Sequence, residues 1–236
     1  FISTAEDSGQ IFALGEFVLY RACAQLAAWR IDNAAWRHVV LGVNVSPRQL
    51  RDPSFEALVE RVLSDTGLPP NNLALEVTES TFIEGAGVAC ATLSHLRAIG
   101  VRVAIDDFGT GYSSLAQLKD LPADVLKIDR QFVTDLDSDT AAGIIETIIA
   151  LARILEMQVV AEGIETSDQH RRLLDLGCTY GQGYLWSQPV SAELLTALLD
   201  RGSAGDMDRR VKRFLMDELP ATERAGQSIP AQITIN

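Results

Sequence analysis

The sequence is poor in the residues that usually betray a metal or redox site. It has three cysteines and three histidines in 236 residues, and no CxxC or Cys/His spacing. Cys23, Cys90 and Cys178 stand far apart and are odd in number, which excludes a disulfide framework and predicts buried free thiols in a reducing compartment. His38 precedes an apolar run, and His95 and His170 fall in helical patterns, so packing or surface roles are expected for them rather than ligation. Positive charge is also short. Twenty Lys and Arg face thirty-two Asp and Glu, for a formal charge of −12. That balance argues against a nucleic-acid polymer or an anionic membrane as a generic partner. It leaves room for a small phosphate ligand held through metal ions. No signal peptide and no apolar run of membrane-spanning length are read from the sequence. The chain opens on Phe1, not Met, so a piece of a longer protein is expected. Its location would be cytoplasmic, with any membrane anchor upstream.

What is present is alternation. Short β-branched runs at 39–45, 73–78, 101–106, 124–128, 157–162 and 179–184 alternate with helical patterns near 10–30, 54–66, 86–99, 113–119, 140–156, 167–176 and 191–201. Strand–helix–strand order implies parallel βαβ units. Six strands fit either a doubly wound sheet or a (β/α)8 barrel short of two strands. No GxGxxG follows a first strand, which disfavours the dinucleotide fold. The barrel domain is assigned to 1–201. Residues 202–236 form a C-terminal extension, with one possible helix over 206–219 (Val211, Phe214, Leu215 and Leu219 on its apolar side) and a disordered tail after Pro220.

Period-two alternation sorts the polar residues. Asn44 shares a face with Gly42, Glu76 with Ala74, Asp106 with Ala104, and Lys127 with Val125 and Asp129. Glu162 lies opposite Val159 and Ala161. Each strand thus has an apolar face for its helices and a polar residue near its C-terminal end. In a parallel barrel those ends meet at one mouth, where active sites form. One lysine among at least three carboxylates calls for a cation. Oxygen ligands without sulfur or imidazole favour Mg²⁺ or Mn²⁺, admit Ca²⁺ and disfavour Zn²⁺.

The stretch AIDDFGTGYSSL (104–115) places two carboxylates in succession. Asp106 faces inward, and Asp107 joins it only if the backbone turns there. The glycines, Thr110 and Ser113 that follow supply a pliable loop and capping hydroxyls. Taken singly, these signals have plain readings too. Asp-Asp-Phe-Gly also fits an Asx turn, and Lys127 could merely pair with carboxylates. Together they point to a metal-dependent phosphoryl-transfer or enolization site.

Six segments then carry a resemblance: NVSPRQL (44–50), LEVTES (75–80), AIDDFGTGYSSL (104–115), LKIDRQFV (126–133), VVAEGIET (159–166) and GCTYGQGYLWSQP (177–189). In order and spacing they resemble the EAL-domain family of bacterial cyclic di-GMP phosphodiesterases, from Phe1 to about Leu199. The resemblance implies a TIM-like barrel of the EAL type and hydrolysis of cyclic di-GMP to linear pGpG with two Mg²⁺ or Mn²⁺ ions. It implies that Asn44, Glu76, Asp106, Asp107 and Glu162 are metal ligands and that Lys127 and Glu162 serve the attacking water. Glu79 would hold the 107–114 loop, Gln182 would line the site, and Pro189 would lie near a guanine. A homodimer and upstream sensor or GGDEF-type domains are implied as partners. One departure stands out. The family's Glu-Ala-Leu strand has no counterpart at its expected place, since Phe55-Glu56-Ala57-Leu58 is helical and out of order. The first two barrel strands are therefore expected to be missing, leaving open sheet edges and doubtful activity for this piece alone. The alternative is a catalytically inactive cyclic di-GMP receptor or protein-interaction module.

Overall fold

Six strands lie side by side in chain order, all parallel, in a computed structural model that describes residues 1–32, 34–82, 86–111, 118–196 and 232–235. They are β1 (Val40–Asn44), β2 (Leu73–Thr78), β3 (Arg102–Phe108), β4 (Val125–Ile128), β5 (Gln158–Ala161) and β6 (Tyr180–Gly181). Between them run α2 (Ile11–Asp32, before β1), α4 (Phe55–Thr66), α5 (Ala86–Ala98), α7 (Asp139–Ile154) and α8 (Ser167–Asp175). Short helices α1 (Ile2–Asp7), α3 (Pro47–Leu50) and α6 (Arg130–Thr134) lie among them, and residues 192–196 are helical too. Neighbour-by-neighbour parallel order, with helices as crossovers, is the arc of a (β/α)8 barrel. Among the described residues the arc does not close, and β6 ends the sheet on one side.

The strand alternation explains the layering. Leu41, Val43, Leu73, Leu75, Val103, Ile105, Leu126 and Ile128 are buried in one cluster with Val59, Leu93 and Ile145 from the helices. The opposite face carries the polar strand ends. Local signals start the helices where the sheet needs them. Ser46 and Gln49 form a reciprocal capping box that starts α3 directly after β1. Thr166 and Gln169 do the same for α8. Gly67, at φ +69°, ends α4 in the left-handed conformation that glycine adopts without strain.

Two expectations need correction. A membrane-length apolar run does exist by composition, since α2 is 22 residues long and apolar enough to cross a bilayer. Here it packs Leu19, Cys23, Leu26 and Trp29 into the core, and Trp29 Nε1 donates to Thr196 Oγ1 at 2.7 Å. The strand expected at 179–184 is only Tyr180–Gly181, because the chain turns at Gly183, where a Cβ would meet the Ile164 backbone. Residues Gln232–Ile235 form β7, parallel to β1. The helices expected over 113–119 and 206–219 fall mainly or wholly outside the described residues.

Candidate metal centre

Lys127 is the hub of the polar face. Its side chain is 2% exposed, and its Nζ lies 2.7 Å from Glu76 Oε2, 2.9 Å from Asp106 Oδ1 and 2.6 Å from Glu162 Oε1. These four residues come from β2, β3, β4 and the residue after β5, so four consecutive strands each deliver one charged group to one point. Burial works against the ammonium, but Glu76, Glu162 and Asp106 outweigh it and raise the lysine's pKa. Lys127 is thus held as a cation. One ammonium does not balance three carboxylates. Burial pushes the Glu162 carboxyl up to about 7 despite the adjacent lysine, and Asp106 adds to the rise.

A bulge brings in the second aspartate. Ile105 pairs with Leu126 and Phe108 with Ile128, so Asp106 and Asp107 together face Lys127 alone. An extra residue on one strand bends it and re-aims its side chains. Asp107 takes the turn at φ +53°, a left-handed conformation that aspartate tolerates better than most residues. Carboxylate oxygens of Asp106, Asp107 and Glu162 come within 4.8 Å of one another. Desolvation, a hydrogen bond with Asp129 and the charge of Asp106 raise Asp107 to about 6.

This donor set fits a divalent cation. All the ligands are hard oxygens, as Mg²⁺, Mn²⁺ or Ca²⁺ prefer. Asp106 Oδ1 is buried and, although it is ion-paired with Lys127 Nζ, it accepts no hydrogen bond among the described residues. A buried carboxylate oxygen that accepts no hydrogen bond is costly, and a metal ion would satisfy it. Asp106, Asp107 and Glu162 would hold it, with Glu76 beside them. Asn44 ends β1 in register with Glu76, the position through which it would reach the same mouth.

The supporting residues surround this centre. Glu79, itself buried, accepts the backbone N–H groups of Gly109 and Gly111, each at 3.2 Å. A Cβ at Gly111 would stand 2.8 Å from the Glu79 carboxylate, so a larger residue there would push that side chain aside. Gln182 Nε2 donates to Glu162 Oε1 at 2.7 Å. Thr110 is exposed and turns its hydroxyl back to the Asp107 carbonyl at 2.9 Å. Pro189 is exposed, and no described contact links it to the cluster. Ser113 lies outside the described residues. Of the histidines, His95 pairs with Glu60 on the surface and His170 packs edge-on against Trp186.

Sequence reasoning passed over Asp129. It caps α6 by accepting Gln131 N–H at 2.7 Å while it hydrogen-bonds Asp107. The signal was its parity with Lys127, two residues earlier on the same face.

Comparison with known proteins agrees with this geometry. The EAL domain family matches residues 1–189. An uncharacterized signaling protein of Caulobacter vibrioides is 43% identical over 206 residues, which are 87% of this chain and 25% of that protein. The bifunctional diguanylate cyclase/cyclic di-GMP phosphodiesterase MucR of Pseudomonas aeruginosa is 45% identical over 201 residues, 84% of this chain and 29% of MucR. The chain thus spans less than a third of either relative. The solved MucR phosphodiesterase in complex with c-di-GMP superposes with a TM-score of 0.78 at 43% identity, over 83% of this chain and 78% of that one. BlrP1 of Klebsiella pneumoniae, solved with c-di-GMP and calcium or manganese, superposes at 0.68 in both forms with 30% and 29% identity, over 75% of this chain and 44% of that one. In sequence and in fold alike, the chain belongs to the EAL domain family, the cyclic di-GMP phosphodiesterases of bacterial signalling.

Proposed function

We propose that this domain hydrolyses one phosphodiester of cyclic di-GMP to give linear pGpG, with Mg²⁺ or Mn²⁺ bound at Asp106, Asp107 and Glu162. The observation that carries the reading is the convergence of Glu76, Asp106 and Glu162 on the buried Lys127, with a buried oxygen of Asp106 left for a cation. A bound divalent ion lowers the pKa of water and stabilises charge on phosphate oxygens.

The chain's own groups divide the remaining work. Lys127 stays protonated, so it donates hydrogen bonds to the attacking water and does not accept that water's proton. Glu162 is the carboxylate placed to receive it. The new bond joins the water oxygen to phosphorus, the P–O3′ bond breaks, and the leaving ribose oxygen takes a proton from solvent. Gln182 and Lys127 both donate to Glu162 Oε1 and fix the orientation of that carboxylate. Glu79 fixes the loop that carries Gly109 to Gly111 beside Asp107.

Incubation of the chain with cyclic di-GMP and Mn²⁺, followed chromatographically, tests this. Formation of pGpG by the wild type, lost in Asp106→Asn, supports hydrolysis. Nucleotide binding without turnover supports the receptor reading instead. Failure of both rejects the assignment.

A further inference from the structure

The end of β5 holds a second extra residue. In a regular parallel ladder, a residue donates to one carbonyl of its neighbour and accepts from the N–H two residues further on. Gln182 donates its N–H to the Ala161 carbonyl at 2.8 Å but accepts from Ile164 N–H, at 3.1 Å, instead of from Gly163. Glu162 and Gly163 together therefore face Gln182 alone, which is a bulge. The other edge stays regular, with Glu162 N–H donating to the Ile128 carbonyl at 3.1 Å. Gly163 takes the turn at φ +70°, a left-handed conformation that costs glycine no strain. A Cβ on Gly163 would stand 2.5 Å from Arg130 Cβ and 3.3 Å from Arg130 Cα, at the start of α6. No side-chain rotation moves either atom away. Across the same bulge, Gln182 Nε2 reaches Glu162 Oε1 at 2.7 Å, and that oxygen also lies 2.6 Å from Lys127 Nζ.

We propose that Gly163 is a positioning residue for Glu162. As the extra residue of the bulge, seated against Arg130, it aims the Glu162 carboxylate at Lys127 and Gln182. A larger residue at 163 has to leave the left-handed region or push on the start of α6, and either change moves the backbone that carries Glu162. A displacement of about 1 Å at a reacting group can cost on the order of a hundredfold in rate. The bulge in β3 aims Asp107 from the other side of β4, so each strand beside Lys127 carries one extra residue where its carboxylate turns inward. The kinetic part of this inference rests on the phosphodiesterase reading. The geometric part does not, because the contact between Gln182 and Glu162 is read without nucleotide.

Gly163→Ala in the full chain tests it, beside the Gly163→Asn/Arg130→Gly double variant. In the double variant asparagine tolerates the positive φ and the colliding Cβ of Arg130 is gone. Two quantities are read: turnover of cyclic di-GMP with saturating Mn²⁺, and the NMR resonance of the Gln182 side-chain amide in the metal-free protein, assigned by its loss in Gln182→Leu. In Gly163→Ala, kcat should fall at least about tenfold while KM changes less than about twofold. The Gln182 amide should move to the position of a solvent-exposed glutamine, and the double variant should restore most of both. Wild-type kcat with an unmoved Gln182 amide in Gly163→Ala overturns the proposal. A loss carried wholly by KM overturns it too. If the alanine variant does not fold, the double variant decides: a wild-type Gln182 resonance supports the proposal and a solvent-exposed one overturns it. If the wild type itself turns over no cyclic di-GMP, the phosphodiesterase reading fails, and the Gln182 resonance alone decides this inference.

Discussion

Lys127 Nζ and Glu76 Oε2 meet at 2.7 Å, and neither side chain is more than 2% exposed. Removing one member of such a buried pair strands the other. Lys127→Met should therefore lower the unfolding free energy of the metal-free protein by about 3–5 kcal/mol. Urea unfolding in the presence of EDTA measures it. A loss below about 1 kcal/mol, the range of exposed ion pairs, would mean that the carboxylates find another counter-charge.

Asp106 faces Lys127 and offers a buried oxygen that accepts no hydrogen bond among the described residues. On the proposed function, Asp106→Asn should slow cyclic di-GMP hydrolysis on the order of a thousandfold, since several kcal/mol of transition-state stabilisation are lost. It should also weaken Mn²⁺ binding measured by calorimetry without nucleotide. Normal metal affinity in the variant would remove Asp106 from the ligand set.

Glu79 holds two backbone amides of the loop with one buried carboxylate. Glu79→Ala leaves both N–H groups without that acceptor, and a cost of about 2–3 kcal/mol is expected from losing hydrogen bonds to a charged group. Gly111→Ala should perturb the same contact from the other side, because the new methyl collides with the carboxylate. Similar effects from the two variants, and a double variant that costs less than their sum, identify one shared interaction. Independent, additive losses would separate the loop from Glu79.

Glu162 sets a pH dependence for the metal-free protein. Its folded pKa is raised to about 7, chiefly by burial. Between the ordinary glutamate value and about 7, the folded state holds a proton that the unfolded state has released. Stability contributed by this group is then complete at lower pH and is lost as pH rises through about 7. Urea midpoints in EDTA should fall across that window, and Glu162→Gln should flatten the profile. Saturating Mn²⁺ should abolish the fall, because the cation favours the ionised carboxylate. A profile that the Gln substitution leaves unaltered would assign the titration to another group.

Much of this site was legible in the sequence because strand parity is a local property. Two residues on one strand share a face whatever the rest of the chain does, so Glu76, Asp106 and Lys127 could be aligned before any contact was known. The position of Asp107 was half legible. A regular strand turns it away from Asp106, and the need for a backbone turn follows from that, but the bulge opposite Lys127 depends on how β3 registers against β4. Asp129 carried the same parity signal as Lys127, yet its link to Asp107 exists only because that bulge swings Asp107 around.

By itself the sequence determined the alternating strand–helix order, the apolar and polar faces of each strand, and the family motifs, all of which depend on spacing along the chain. Tertiary structure alone decided that three carboxylates pack to within 3 Å of Lys127 Nζ rather than merely share a mouth, and what that does to their protonation. It also decided that a short polar–apolar run near the end of the chain pairs with β1. Four residues carry too little hydrophobic pattern to declare a strand, and their pairing depends on which segment they meet in space.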